Sequence, residues 1–383
     1  MSEFDVSERV ASVPPSGIRK FFELAEERDD VVSLGVGEPD FTAPWRAREA
    51  AIDSLERGRT SYTANRGTRE LREEIARYVE RFDLDYDPDD EILVTAGASE
   101  AIDLAFRALC DPGDGVAIVQ PSYVSYVPGV QFAGAEPIPV PTRAEDGFAL
   151  TPEVLERSGA ADAEMLVLCY PNNPTGATMD REGLEAVAAF AREHDLTVLS
   201  DEIYAELTYE GEHVSIASLP GMRERTVVFN GFSKAYAMTG LRLGYACGPA
   251  DAIGAMNRVH QYTMLSAPTT AQHAALTALR ECDEEVTSMC AQYDRRRRFV
   301  LARFREMGVE CPEATGAFYL FPEAPGGDAE AFAEGLLEAE GVAMVPGDAF
   351  GAGGAGHLRV SYATGMDDLR TAMDRLERFL DNH

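Results

Sequence analysis

Lysine is nearly missing from this chain. Of its 34 basic residues only Lys20 and Lys234 carry a side-chain amine, and the rest are arginine. An amine can lose its proton and attack a carbonyl, whereas a guanidinium stays charged and cannot form a Schiff base. Positive charge is scarce as well. Against 66 acidic residues the 34 basic ones leave a net charge of -32, which repels phosphate backbones and anionic lipid and argues against nucleic acid or a membrane surface as a partner. So much carboxylate with so little lysine reads as adaptation to high salt, where screening relieves self-repulsion. No stretch approaches the roughly 20 apolar residues of a membrane span. The N-terminus, Met1-Ser2-Glu3-Phe4-Asp5, has no basic region and no apolar run of signal-peptide length. Six cysteines, at 110, 169, 247, 282, 290 and 311, offer no C-x-x-C pair and no short Cys/His cluster. Neither a metal site nor a disulfide framework is expected, and a reducing cytoplasm is.

Apolar residues, by contrast, make up 45% of the chain, ample for a large core. The length suits two or three ordinary domains, or one large and one small domain sharing a core. Short β-branched runs alternate with stretches at helical spacing, the pattern of a parallel sheet covered by helices. Strands are predicted at 91–95, 116–120, 165–170, 197–200, 226–230 and 243–247, and helices at 99–110, 181–194 and 252–262. From about 283 the pattern changes to a long Arg-rich helix reaching 307. Strand-like segments follow at 317–321, 342–345 and 357–362, with a Gly-rich loop at 351–356 and a terminal amphipathic helix. This predicts a second, smaller α+β domain.

In an open α/β sheet the ligand sits beyond the carboxyl ends of the strands. After 91–95 comes Ala96-Gly97-Ala98-Ser99, a small-residue turn opening a helix, suited to a phosphate. After 165–170 comes Pro171-Asn172-Asn173-Pro174-Thr175-Gly176, and after 197–200 come Asp201, Glu202 and Tyr204. After 226–230 come Ser233 and Lys234, with Arg242 beyond. Each alone reads as an ordinary turn Asn, capping Asp or surface Arg. Their joint placement on one edge points to a site. Lys20, in the amphipathic stretch 18–28, reads as a solvated helix residue.

The segments Ser33-Leu34-Gly35-Val36-Gly37-Glu38-Pro39-Asp40-Phe41, Tyr170-Pro171-Asn172-Asn173-Pro174-Thr175-Gly176, Ser200-Asp201-Glu202-Ile203-Tyr204 and Ser233-Lys234-Ala235-Tyr236-Ala237-Met238-Thr239-Gly240 resemble, in order along almost the whole chain, class I/II aminotransferases. Gly356-His357-Leu358-Arg359-Val360-Ser361-Tyr362-Ala363 closes the set. These are pyridoxal 5'-phosphate enzymes of fold type I, and the chain looks most like archaeal and bacterial aromatic and aspartate aminotransferases. The resemblance implies a large domain over 41–283 with a mostly parallel seven-stranded sheet between helices. It also implies a small α+β domain over 284–383, to which an N-terminal segment and lid, 1–40, belongs.

It further implies roles. Lys234 would hold the cofactor as an aldimine and then, as a free amine, move the substrate proton. Asp201 would pair with the pyridinium nitrogen, Asn173 and Tyr204 would bond the ring's 3′ oxygen, and Tyr123 would stack on the ring. Ala98, Ser99, Ser233 and Arg242 would hold the phosphate, with Tyr62 reaching it from the neighbouring subunit of a homodimer. Arg359 would grip the substrate carboxylate, with Gly37 and Asn173 nearby. Gly231 stands where some members carry serine, so one phosphate ligand is expected to be missing.

The implied reaction moves an amino group from an aromatic amino acid or aspartate to a 2-oxo acid such as 2-oxoglutarate, with ping-pong kinetics. A carbon-sulfur β-lyase on the same fold is the rival enzyme. A cofactor-binding transcriptional sensor is the non-enzymatic rival, though a basic DNA-binding module is not evident. A distal carboxylate would need a further cation, for which Arg19 and Arg66 are candidates. A lid at 14–19 would exclude water.

Overall fold

The computed structural model describes residues 6–15, 17–18 and 30–382. Lys20, Arg19 and nearly all of the predicted 18–28 helix lie outside the described residues, as do parts of the expected lid. Seven strands form the main sheet: β2 (Ile92–Thr95), β3 (Gly115–Gln120), β4 (Glu136–Pro141), β5 (Met165–Cys169), β6 (Thr197–Asp201), β7 (Thr226–Gly231) and β8 (Gly244–Cys247). They follow one another across the sheet as β2-β8-β7-β6-β5-β3-β4. Only β8 runs against the rest, antiparallel to both β2 and β7. The expected mostly parallel seven-stranded sheet is therefore present.

Strand β5 shows why these segments read as continuous apolar runs. All five of its residues are buried, as required of a parallel strand covered on both faces. Leu166 and Leu168 pack with Val187 and Phe190 of helix Arg181–Glu193. The alternate residues Met165, Val167 and Cys169 pack on the opposite face with Phe106 of helix Ala98–Leu109 and Met256 of helix Ala250–Thr263.

β4 was not among the six predicted strands, because Pro137, Pro139 and Pro141 interrupt it. It lies at the sheet edge and pairs with β3 alone. The flanking even-numbered residues Glu136 and Thr142 donate their N–H groups to Asp114 and Gln120 beside β3. The prolines fall at odd positions, so their missing N–H groups face away from the ladder, where a sheet tolerates them.

A three-stranded antiparallel sheet, β11-β12-β9, is built from β9 (Tyr319–Leu320), β11 (Val345–Pro346) and β12 (Leu358–Ser361). The predicted strand 342–345 is divided, because β10 (Val342–Ala343) pairs instead with β1 (Val32–Ser33). That pairing ties the N-terminal segment down: Leu34 donates to Ala343 and accepts from Ser361. Residues 35–38 are thereby delivered to the carboxyl ends of β6 and β7. Helix Asp283–Met307 matches its predicted extent and ends at Gly308, where φ is 70°.

Candidate active site

Topology brings the predicted residues to one edge. Asp201 ends β6, Asn173 follows β5, Ser233 and Lys234 follow β7, and Ala98 and Ser99 open the helix after β2. They surround a cavity of about 510 Å³ together with Gly37, Tyr123, Tyr204, Arg242 and Arg359. Tyr62 is the exception: it is 80% exposed and away from this chain's own cavity. A larger void of about 630 Å³ adjoins the site and shares Ser99, Ile102 and Tyr123. It holds no amine or guanidinium among its described lining residues, so the chemistry belongs to the smaller one. Arg66 does not line that cavity, and its guanidinium donates to the Asp89 carbonyl at 3.2 Å.

Lys234 is the only lysine among the described residues, and its Nζ donates to the Gly37 carbonyl at 2.7 Å. Burial, and then the Arg359 and Arg242 guanidiniums, push its ammonium from 10.5 down to about 8, against the pull of Glu38 and Asp201. Asp201 is buried and Oδ2 accepts from the Tyr126 hydroxyl at 2.6 Å. Burial drives its carboxyl up to about 6, although bonds from Tyr126 and the Ile203 N–H oppose the rise. An amine held partly neutral thus faces a carboxylate whose charge lacks a cationic partner in hydrogen-bond contact among the described residues.

Arg359 is fully enclosed. Nη1 donates to Asn173 Oδ1 at 3.1 Å, Nη2 donates to the Gly35 carbonyl, and the guanidinium lies 4.8 Å from the ring centres of both Tyr319 and Phe350. Its Nε has no partner, and among the described residues no carboxylate pairs with it. A buried cation without a counter-charge is costly unless a ligand supplies one. Tyr204 and Tyr319 join their hydroxyls at 3.0 Å beside it.

Backbone shape makes the remaining subsite. Gly97 has φ 89°, and a Cβ there would meet Arg242 Nη2 at 2.6 Å. A Cβ on Gly244 would meet the Ala98 nitrogen at 2.3 Å. These two absences let the guanidinium and the first helical turn converge, leaving N–H groups and a cation for an anion. Arg242 itself sits at φ 54° and is braced by a bond from Nη1 to the Thr239 carbonyl. At Gly231 a Cβ would lie 2.9 Å from Gly244 Cα, so the apposition of β7 and β8 here leaves no room for a side chain.

Tyr126 and Tyr319 were not singled out from the sequence. Tyr126 lies 75 residues from the aspartate it serves, and Tyr319 stands on a strand too short to show a pattern. A nearby proline-aromatic segment, Pro121-Ser122-Tyr123-Val124-Ser125-Tyr126, was the one available signal for the former.

An amine, a buried carboxylate, paired phenols and an anion cradle form a donor set suited to pyridoxal phosphate, and the unpaired Arg359 guanidinium beside them leaves a place for a second anion. The space kept by Gly97 and Gly244 beside Arg242 fits the cofactor's phosphate. The fold and site thus define a lysine-based pyridoxal-phosphate enzyme of fold type I. The family model for class I and II aminotransferases matches residues 29–376, and the chain belongs to that family. Members of it use pyridoxal phosphate. The chain is 50% identical to a putative aminotransferase, YugH, of Bacillus subtilis over 98% of each chain. It is 41% identical to aromatic-amino-acid aminotransferase 2 of Thermococcus litoralis, again over 98% of each. The aspartate aminotransferase of Thermus thermophilus, solved with maleate, superposes with a TM-score of 0.93 at 40% identity, covering 98% of this chain and all of that one. The expectation of an aminotransferase holds.

Proposed function

We propose that this aminotransferase takes the α-amino group of an aromatic L-amino acid or aspartate and delivers it to 2-oxoglutarate, both halves using one site in ping-pong order. The observation that carries this reading is the single cavity in which the Lys234 amine, lowered to about 8, meets Asp201 and the unpaired Arg359. Bound pyridoxal phosphate supplies a carbonyl for amines and a ring that accepts electrons. Lys234 would anchor it and, as a free amine, would take and return the proton at the substrate Cα. Asp201, held by Tyr126, would pair with the ring nitrogen. Asn173 and Tyr204 would hold the 3′ oxygen, Tyr123 would stack on the ring, and Ala98, Ser99, Ser233 and Arg242 would hold the phosphate. Arg359, aimed by Asn173 and Gly35, binds the substrate carboxylate beside Gly37.

A homodimer completes the proposal. Tyr62 is exposed, as are Trp45, Ile52, Leu55, Tyr262, Met264 and Leu265, and the loop that carries it bonds the Leu265 carbonyl and Thr269; exposed apolar residues of this kind suit cover by a second copy. Tyr62 would then reach the neighbour's phosphate. A large unit over 41–283 and a small one over 284–383 with residues 1–40 are consistent with the separate sheets and the β1–β10 pairing. Ile18 lines the cavity, which supports a lid at 14–19. The carboxylate excess supports an enzyme of a salt-adapted cell, and a cytoplasmic place in amino-acid biosynthesis is part of the same proposal.

The test is oxo-acid release from tyrosine, aspartate and alanine without an acceptor, in high salt. One equivalent per site from an aromatic amino acid or aspartate, lost in Lys234→Ala, is expected. Continuous pyruvate and ammonia from cystathionine without an oxo acid would instead mark a lyase.

A further inference from the structure

Behind the anion cradle lies a pair with no place in the machinery above, a buried histidine against a part-buried glutamate. Glu100, the third residue of helix Ala98–Leu109, turns back so that Oε2 accepts the Ala96 N–H while Oε1 meets His260 Nδ1 at 2.8 Å. His260 comes from helix Ala250–Thr263, is wholly buried, and has no partner for Nε2. Burying an unsatisfied ring nitrogen costs stability, so packing alone does not account for a histidine here. With a carboxylate oxygen opposite, Nδ1 carries the proton and donates it to Glu100.

A carboxylate in a first helical turn is drawn toward that turn's free N–H groups by the helix dipole, or reaches back to the N–H groups just before it. Here those groups, on Ala98 and Ser99, are the seat for phosphate, and a carboxylate on them would compete with it and repel it. The two bonds made by Glu100 hold it instead on Ala96, before the turn. We infer that His260 is a positioning residue for the cofactor phosphate, donating from Nδ1 to keep Glu100 on the Ala96 N–H and off the anion seat. This rests on the reading of the Ala98 turn as the phosphate cradle.

Apoprotein of the wild type, His260→Leu, His260→Asn and Arg242→Gln is titrated calorimetrically with pyridoxal phosphate, inorganic phosphate and phosphate-free pyridoxal. Leucine removes the donor and is expected to weaken both phosphate-bearing ligands about tenfold, with pyridoxal unaffected. Asparagine, whose amide can stand at the Nδ1 position, restores most of the affinity. Turnover at saturating cofactor falls by less than the affinity does. If the leucine variant fails to fold, the contrast of His260→Asn with His260→Gln, whose amide falls at the Nε2 position, carries the same test. Equal weakening of pyridoxal and pyridoxal phosphate would overturn the inference, as would unchanged phosphate affinity in His260→Leu alongside weakened binding in Arg242→Gln. If Arg242→Gln also leaves phosphate binding unchanged, the cradle reading fails with it.

Discussion

The Tyr319 hydroxyl fills the space in which a side chain on Gly37 would begin: a Cβ there would lie 2.3 Å from it. The same hydroxyl bonds Tyr204, and the Gly37 carbonyl receives the Lys234 amine. One missing methyl group therefore lets the strap from β1, the phenol pair and the amine meet.

Gly37→Ala should lower kcat/KM by roughly tenfold or more, since the ordinary response to overpacking is a displacement costing about 1–3 kcal/mol. In the double variant with Tyr319→Phe the nearest remaining ring atom, Cζ, is 3.3 Å away, and part of the loss should return. A double variant no better than the single one would show that the hydroxyl is not the obstacle.

The Lys234 amine leaves a signature in the apoprotein. Its folded value of about 8 lies below the ordinary 10.5, so between those values the unfolded chain binds a proton that the folded one does not. Stability rises with pH wherever that holds. Urea midpoints of the wild type, measured against Lys234→Met, should therefore climb from pH 8 to 10.5 and level off above. A flat difference across this window would mean the amine is not depressed.

Asp201 behaves in the opposite sense. Its carboxyl, at about 6 rather than 3.8, is held in the fold at a cost that grows as pH rises through that interval and is complete above it. Apo Asp201→Asn should be more stable than wild type above pH 6 by about 3 kcal/mol, the advantage disappearing toward pH 3.8. Its affinity for pyridoxal phosphate should fall, because the partner for the ring nitrogen is gone. Denaturation at several pH values and cofactor titration measure the two effects separately.

If Tyr62 serves the neighbouring site, inactive proteins can repair one another. Tyr62→Ala and Lys234→Ala homodimers, each impaired, are mixed and allowed to exchange. Each hybrid then holds one site with both native residues, and activity should approach about a quarter of wild type at statistical exchange. No recovery after demonstrated exchange would place Tyr62 outside the partner's site.

Strand ends were the most legible part of the site in the sequence. Asp201, Asn173 and Lys234 each follow a short apolar run, and a parallel sheet sends the ends of such runs to one edge whatever the details of packing. Helix Asp283–Met307 was legible because its periodicity is long and its end is marked by Gly308. β4 was hidden because proline spoils a strand pattern except at the one place, an outer edge, that topology alone reveals. Tyr126, Tyr319 and His260 were hidden for a different reason. Each meets its partner across more than 70 residues of chain, and the distance is closed by helix and sheet packing rather than by any local signal.

The depressed amine has a consequence for chemical selectivity. At neutral pH a lysine at about 8 exposes roughly a few hundred times more free base than one at 10.5. In an ordinary lysine-rich protein that preference is diluted by dozens of surface amines, each able to capture an aldehyde. Here nearly every other cation is a guanidinium, which does not compete. Burial sharpens one address while the arginine-rich surface removes most of the others, so an aldehyde followed by a hydride reductant should mark Lys234 with Lys20 and the α-amino group as its few competitors.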